Sequence, residues 1–192
     1  MKTRTTKSAN DLLIESFNLQ TELNDLKKPV LIEIEIEKDE DAEESKMSKS
    51  KIIMAMRLIL SGTFHMYFKA HVIHWNVEGF DFPQYHDFFG EKYKELHEIT
   101  DRIAEYIRIL GEKAPATLGA LTANMPADTM SENDSIDAMI VSFSADNEKM
   151  IAVLRKSIKI AGYCDEPAIE NFLQERLDYH QKLAWMVRVI KK

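Results

Sequence analysis

Apolar residues recur along most of this chain at intervals of three and four, the spacing that places them on one face of an α-helix. Glycine and proline residues interrupt the pattern where helices most readily end or begin. The pattern predicts four long helices, which run from Ser48 to Gly79, from Asp81 to Gly111, from about Ser135 to Gly162, and from Asp165 to the carboxyl terminus. Helices of this length indicate an all-α fold.

The connections between these helices differ in length, which limits how the helices can be arranged. The first two helices are joined tightly at Gly79, whereas residues 112–133 separate the second helix from the third. The long connection can cross the bundle from end to end, and its apolar stretch at residues 118–125 is predicted to form a short helix. We therefore expect a four-helix bundle with ferritin-like connectivity.

The first 45 residues show patterns of apolar and acidic residues that differ from those of the four long helices. Apolar residues recur at mostly helical spacing up to Leu26, and residues 30–37 then alternate between apolar and acidic side chains. These patterns predict a short helix and one possible β-strand, which would pair with its copy in another subunit or stay mobile. Residues 39–44 are predicted to form an acidic linker. We divide the chain into an N-terminal extension, residues 1–45, and a helical domain, residues 46–192.

Composition and charge narrow the classes of function. With 25 lysine and arginine residues against 32 aspartate and glutamate residues, the formal net charge is −7, so broad attraction to nucleic acid or anionic lipid is not expected. The most apolar stretch, residues 52–68, is too short to span a bilayer. A single cysteine, Cys164, fits a reducing compartment, and a soluble cytoplasmic protein is predicted. DNA binding has weak support from basic residues at the two ends, Lys2, Arg4, Lys7, Lys191 and Lys192.

Five of the six histidines lie between His65 and His97, and two carboxylates follow on the same predicted helix. At 100° per residue, Asp101 and Glu105 lie about 60° and about 100° around that helix from His86, so the three share one face. His86 and Asp101 are nevertheless about 22 Å apart along a continuous helix. One chain therefore cannot bring them to the same metal ion.

A two-fold dimer would remove this separation. If two copies of the second helix run antiparallel about an axis near Lys94, His86 of one subunit faces the carboxylates of the other. His74, near the end of the first helix, can join His86 across the tight turn. Each site would then hold two imidazoles from one chain with Asp101 and Glu105 of the partner subunit, a ligand set that suits iron.

The candidate ligands lie within a longer motif. It comprises His74-Trp75-Asn76-Val77-x-Gly79, then Phe82 and His86, and later Asp101-x-x-Ala104-Glu105 with Gly111. The motif, within a similarity that covers about residues 50–191, resembles the Dps family (DNA-binding proteins from starved cells). The resemblance implies a ferritin-like bundle, a hollow dodecameric shell, and a ferroxidase site shared across the two-fold dimer.

For this chain, the resemblance implies that iron binds to His74 and His86 of one subunit and to Asp101 and Glu105 of the partner subunit. The implied activity is oxidation of Fe²⁺ by peroxide or dioxygen, with storage of ferric iron and protection against oxidative damage. Zinc is a possible substitute for iron. Trp75, next to one ligand, would intercept radicals or simply pack in the core.

One position departs from the family pattern and leaves alternatives open. Gly90 replaces the carboxylate that the family usually has one helical turn after the second histidine, so weaker iron binding or an altered division of labour between two metal positions is expected. His97 lies on the same face of the second helix as His86. It is interpreted as an interface histidine, and the alternative is that it is an additional metal ligand. The alternative function is a non-enzymatic cage or dimer that binds zinc or no metal and contacts DNA or protein through its N-terminal extension.

The sequence contains one further pair of possible metal ligands and lacks one common iron-binding motif. His71 and His74 are three residues apart and could clasp zinc, although two ligands alone make a weak site. Paired Glu-x-x-His motifs, which place iron inside a helical bundle, do not occur in the sequence. The centre of the bundle is therefore expected to be apolar.

Overall fold

A computed structural model of the chain describes residues 42–124 and 130–190, with side chains from residue 49 onward. These residues form five helices: α1 Ala42–Asn76, α2 Phe82–Ile109, α3 Leu118–Thr122, α4 Ile136–Tyr163 and α5 Pro167–Ile190. They include the four long helices and the short crossover helix that the sequence predicts, so the predicted all-α bundle is confirmed. The predicted N-terminal helix and β-strand lie outside the described residues.

Helix α1 begins earlier than the sequence analysis predicts. It starts at Ala42 rather than at Ser48, inside the stretch assigned to an acidic linker. That assignment considered charge alone, whereas residues 42–47 are mostly of types with good intrinsic helix propensity. The helix therefore extends toward the N-terminus beyond the part that its apolar stripe marks.

Two helical hairpins make up the bundle. Helix α1 packs against α2, α4 packs against α5, and the two hairpins meet through α1 and α4. Gly79, in the turn between α1 and α2, has φ of +92°, a conformation that glycine adopts without the strain of a side chain. In the long connection, α3 is fixed to α1 because the Ser61 hydroxyl donates a hydrogen bond of 2.6 Å to the Leu121 carbonyl.

Apolar side chains from the four long helices fill the core, including Ile59, Met66, Ile73, Phe89, Leu96, Ile103, Phe143, Leu154, Phe172 and Leu183. Their burial explains the apolar periodicity of the sequence, since each helix must cover one face. None of the described helices has the length and apolarity needed to span a membrane.

The centre of the bundle is largely apolar, as expected, but a charged cluster is buried between α1 and α4. Lys69 is 2% exposed and Asp146 is 8% exposed. Asp146 accepts hydrogen bonds from Lys69 Nζ, from His65 Nε2 at 3.0 Å and from Lys149 Nζ at 2.8 Å. Burial raises the pKa of Asp146, but the hydrogen bonds from His65, Lys149 and Lys69 outweigh it and hold that pKa well below its usual range.

A second buried polar pair joins α4 to α5. His180 Nδ1 lies 2.7 Å from Asn147 Oδ1, and Asn147 Nδ2 donates to the His180 carbonyl at 2.9 Å. Burial, with a smaller effect of Arg176, lowers the pKa of His180 to about 3. The ring is therefore neutral at neutral pH, and Nδ1 donates to the amide oxygen.

Acidification should destabilise the fold through His180. The ring is protonated below about pH 6.5 in the unfolded chain, whereas it stays neutral well below pH 5 in the folded chain. The contribution of His180 to the free energy of unfolding is therefore complete above pH 6.5 and is lost as the pH falls. Between pH 7 and pH 5 the loss should be about 2 kcal/mol of unfolding free energy. The variant His180→Phe has no titratable ring at this position. The change in its free energy of unfolding between pH 7 and pH 5, measured by chemical denaturation at fixed protein concentration, should be smaller by that amount. An unchanged pH dependence would contradict this assignment.

Candidate metal centre

Two of the predicted ligands, His74 and His86, meet where α1 turns into α2. Their imidazole rings stack with centroids 3.7 Å apart and planes inclined by 23°. His74 Nδ1 lies 2.7 Å from the His86 carbonyl oxygen, and His86 Nδ1 lies 3.0 Å from the His74 carbonyl oxygen. Because a carbonyl oxygen can only accept, each Nδ1 carries a hydrogen. In the uncharged form of each ring, the Nε2 atom therefore keeps a lone pair that can bind a metal ion.

Gly90 lies against one of these rings. A Cβ atom at this position would be 3.2 Å from both Cε1 and Nδ1 of His74, so any larger residue would require the imidazole to move by a few tenths of an ångström. The departure from the family pattern thus has a structural counterpart. The glycine lets the His74 ring lie close to the backbone of α2.

Asp101 and Glu105 are exposed on α2 and lie far from the two histidines. Because α2 is continuous from Phe82 to Ile109, His86 and Asp101 are separated by about 22 Å along its axis. Within residues 49–124 and 130–190 of a single chain, no three histidine, cysteine or acidic side chains come together in a way that could hold a metal ion. The structure therefore brings two of the four predicted ligands together and leaves the other two apart.

Aromatic rings continue the surface around the histidine pair. His71 stacks on Tyr93 with centroids 4.0 Å apart, and it also contacts Trp75 at 4.1 Å. Burial lowers the pKa of His71, with further contributions from His74 and His97. Trp75 is 58% exposed, so in one chain it is a surface ring and not a core ring.

Tyr93 is a neighbour of the site that was not among the residues predicted from the sequence. Its ring lies 5.2 Å from that of His74. The sequence does indicate this position, because Tyr93 comes seven positions after His86 and two helical turns return to nearly the same face of the helix. The rings of His71 and His74 have centroids 6.2 Å apart, so this pair offers zinc two ligands and no more.

The comparisons with known proteins agree with this architecture. A family model described as a ferritin-like domain matches residues 54–192. The chain belongs to the ferritin-like family. Among curated relatives, this ferritin-like protein is 29% identical over 123 residues to DNA protection during starvation protein 2 of Bacillus anthracis, an alignment that covers 64% of this chain and 84% of that protein.

Crystal structures of Dps proteins share this fold. Dps from Bacillus brevis superposes with a TM-score of 0.72 at 23% identity, covering 76% of this chain and 98% of that chain. Dps from Vibrio cholerae O1, described as a member of the ferritin-like diiron-carboxylate superfamily, gives a TM-score of 0.67 at 23% identity and covers 76% and 92%. This ferritin-like protein is a Dps-family member, as predicted. Iron storage and ferroxidase chemistry are supported at the level of the family.

Proposed function

We propose that this protein oxidises Fe²⁺ at a site shared by two subunits and stores the ferric iron within a dodecameric shell of its own copies. The observation that carries the proposal is the orientation of two imidazoles, His74 and His86. Each Nδ1–H is bound to the other residue's carbonyl, which fixes the tautomer and leaves both Nε2 atoms as donors. Neutral imidazoles of this kind are good ligands for iron.

The oxygen ligands of the proposed site are Asp101 and Glu105 of the partner subunit. Both side chains are exposed in one chain and lie on the face of α2 that also carries His86. Two copies of α2 that run antiparallel about an axis near Lys94 remove the separation of about 22 Å between histidine and carboxylate. Two carboxylates balance the charge of one divalent ion, and the neutral imidazoles add donors without adding charge.

In this site, the residues bind and hold Fe²⁺ while an oxidant accepts one electron from each ion. Hydrogen peroxide takes one electron from each of two Fe²⁺ ions, together with two protons, and leaves two Fe³⁺ ions and two water molecules. Carboxylates favour Fe³⁺ because they are hard anionic donors, so Asp101 and Glu105 of the partner subunit help the ion to lose an electron. Trp75 and His71 cover the neighbouring surface with rings and limit the access of bulk water.

Mixing two inactive variants should restore oxidation. One variant carries His74→Ala and His86→Ala, and the other carries Asp101→Asn and Glu105→Gln, so each lacks half of the ligands in every site. After dissociation and reassembly of an equal mixture, half of the dimers contain both variants, and each mixed dimer has one site with four native ligands. About a quarter of the native rate of Fe²⁺ oxidation should therefore return.

The controls for this mixture are the reassembled native protein and each variant reassembled alone. Mass spectrometry at native conditions reports whether mixed dimers have formed. Mixed dimers without oxidation would mean that the ligands are not shared between subunits. A native protein that oxidises Fe²⁺ no faster than buffer would refute the proposed function itself.

The contact between Gly90 and His74 favours one alternative, a non-enzymatic cage or dimer that holds zinc or no metal. With glycine at this position, the site lacks one carboxylate of the family pattern, and fewer oxygen donors favour zinc relative to iron. Metal analysis of the purified protein, together with the time course of Fe²⁺ oxidation, distinguishes the two functions. DNA or protein binding through residues 1–45, and a cytoplasmic location, stay predictions from the sequence.

A further inference from the structure

Three potential ligands lie one helical turn apart on the exposed face of α2. His97, Asp101 and Glu105 occupy successive positions four residues apart on one continuous helix, and all three side chains are exposed. Residues at this spacing have Cβ atoms about 5–6 Å apart, so the side chains of neighbours can reach the same ion. A histidine followed four residues later by an aspartate can therefore chelate a metal from one helix.

The His97 ring is held by an aromatic contact that leaves its nitrogens available. Its centroid lies 5.1 Å from that of Tyr67, with the planes inclined by 58°. Within residues 49–124 and 130–190, neither ring nitrogen has a hydrogen bond or an ion pair. The ring is thus supported by Tyr67 on one side, and its two nitrogen atoms are available at the surface.

The symmetry of the proposed site brings this ring to Gly90. An arrangement that places His86 opposite Asp101 of the partner subunit also places Gly90 opposite His97 of the partner subunit, because both pairs have the same midpoint between Tyr93 and Lys94. Gly90 is buried in one chain, so a side chain from the facing helix would meet what lies over it and not its backbone. It would arrive beside the His74 ring, which lies 3.2 Å from where a Cβ of residue 90 would be.

We propose that His97 of the partner subunit is an additional nitrogen ligand of the two-subunit metal site, entering beside the His74 ring that lies against Gly90. This inference rests on the proposed function and deepens it. The site then combines three imidazoles with two carboxylates, a nitrogen-rich set that binds Co²⁺ and Zn²⁺ as well as Fe²⁺. The missing carboxylate at position 90 is replaced by an imidazole from the other chain.

Binding of Co²⁺ to the assembled native protein tests this role without relying on activity. His97→Phe keeps a ring against Tyr67 but removes both nitrogen donors. Its affinity for Co²⁺, measured by isothermal titration calorimetry, should fall at least about tenfold, since even outer partners of metal ligands contribute that much. The visible absorption of bound Co²⁺ should also change, because one nitrogen donor is lost. Glu98→Ala, an exposed change directed away from this face, should alter neither quantity.

His86→Ala separates failure of this inference from failure of the proposed function. If His97→Phe binds Co²⁺ with native affinity and spectrum while His86→Ala does not bind, His97 is not a ligand and the inference is wrong, although the proposed site stands. If His86→Ala binds Co²⁺ as the native protein does, the proposed site itself is wrong. Should His97→Phe fail to dimerise by light scattering, the same comparison is made with His97→Gln, which must also weaken binding and shift the spectrum.

Discussion

Replacing His74 and His86 together with alanine should abolish the rapid oxidation of Fe²⁺ while the fold and the assembly persist. The variant removes every nitrogen donor that one chain brings to the proposed site. Both rings are half-buried and, among the residues that the structure describes, hydrogen-bond only to each other's backbone, so their loss removes little core packing. Water can replace them on the two carbonyl oxygens. Stopped-flow absorbance of Fe³⁺ measures the loss, and circular dichroism and light scattering measure the fold and the assembly.

A matched control removes two charged side chains from the same region without touching the proposed ligands. Asp87 and Glu91 are exposed, and they directly follow His86 and Gly90. A step of one residue rotates the side chain by about 100°, so both side chains point away from the face that carries the proposed ligands. The variant Asp87→Ala, Glu91→Ala should oxidise Fe²⁺ at the native rate. Native-rate oxidation by the histidine variant would mean that the site lies elsewhere.

Lys69→Met should lower the free energy of unfolding by about 3–5 kcal/mol, a large fraction of the stability of a single domain. Lys69 Nζ donates to Asp146 and to the Ser142 hydroxyl, the latter at 2.9 Å, within the buried cluster between α1 and α4. Methionine has a similar length but no charge, so the Asp146 carboxylate would remain buried after losing its closest cation. Chemical denaturation at fixed protein concentration and pH 7.5 measures the change.

Two comparisons make this prediction specific to the buried charge. Arg188→Met disrupts an exposed pair with Glu148, at 3.5 Å, and should change the unfolding free energy by less than about 1 kcal/mol. Adding Asp146→Asn to Lys69→Met should recover part of the loss, because the uncompensated carboxylate is then gone. If Lys69→Met is no more destabilising than Arg188→Met, the cluster does not stabilise the bundle.

The helices could be predicted from the sequence because each buries one apolar face, and this burial imposes the periodicity that was recognised. Gly79 marked the turn between α1 and α2 because its positive φ favours glycine. The start of α1 was missed, since residues 42–47 have helix propensity but no apolar stripe. The buried cluster was also missed because Lys69 and Asp146 are 77 residues apart on different helices, and only the packing of α1 against α4 brings them together.

The candidate site could be outlined from helical geometry alone. The rotation of 100° per residue is sufficient to place His86, Asp101 and Glu105 on one face and to show that one chain cannot join them. The reciprocal hydrogen bonds of His74 and His86 could not be predicted, because they depend on how the turn at residues 77–81 aligns two helix ends. The close approach of His74 to Gly90 depends on the same alignment.

The mutual hydrogen bonds of the two histidines also bear on how quickly the site can be loaded. Each ring donates a hydrogen bond to the backbone carbonyl of the other histidine. Rotation of a ring away from this position would leave that carbonyl oxygen without its donor. Both rings are therefore held in place before any ion arrives. A preorganised pair of donors gives up little conformational entropy on binding, and the reorganisation that remains is confined to the carboxylates.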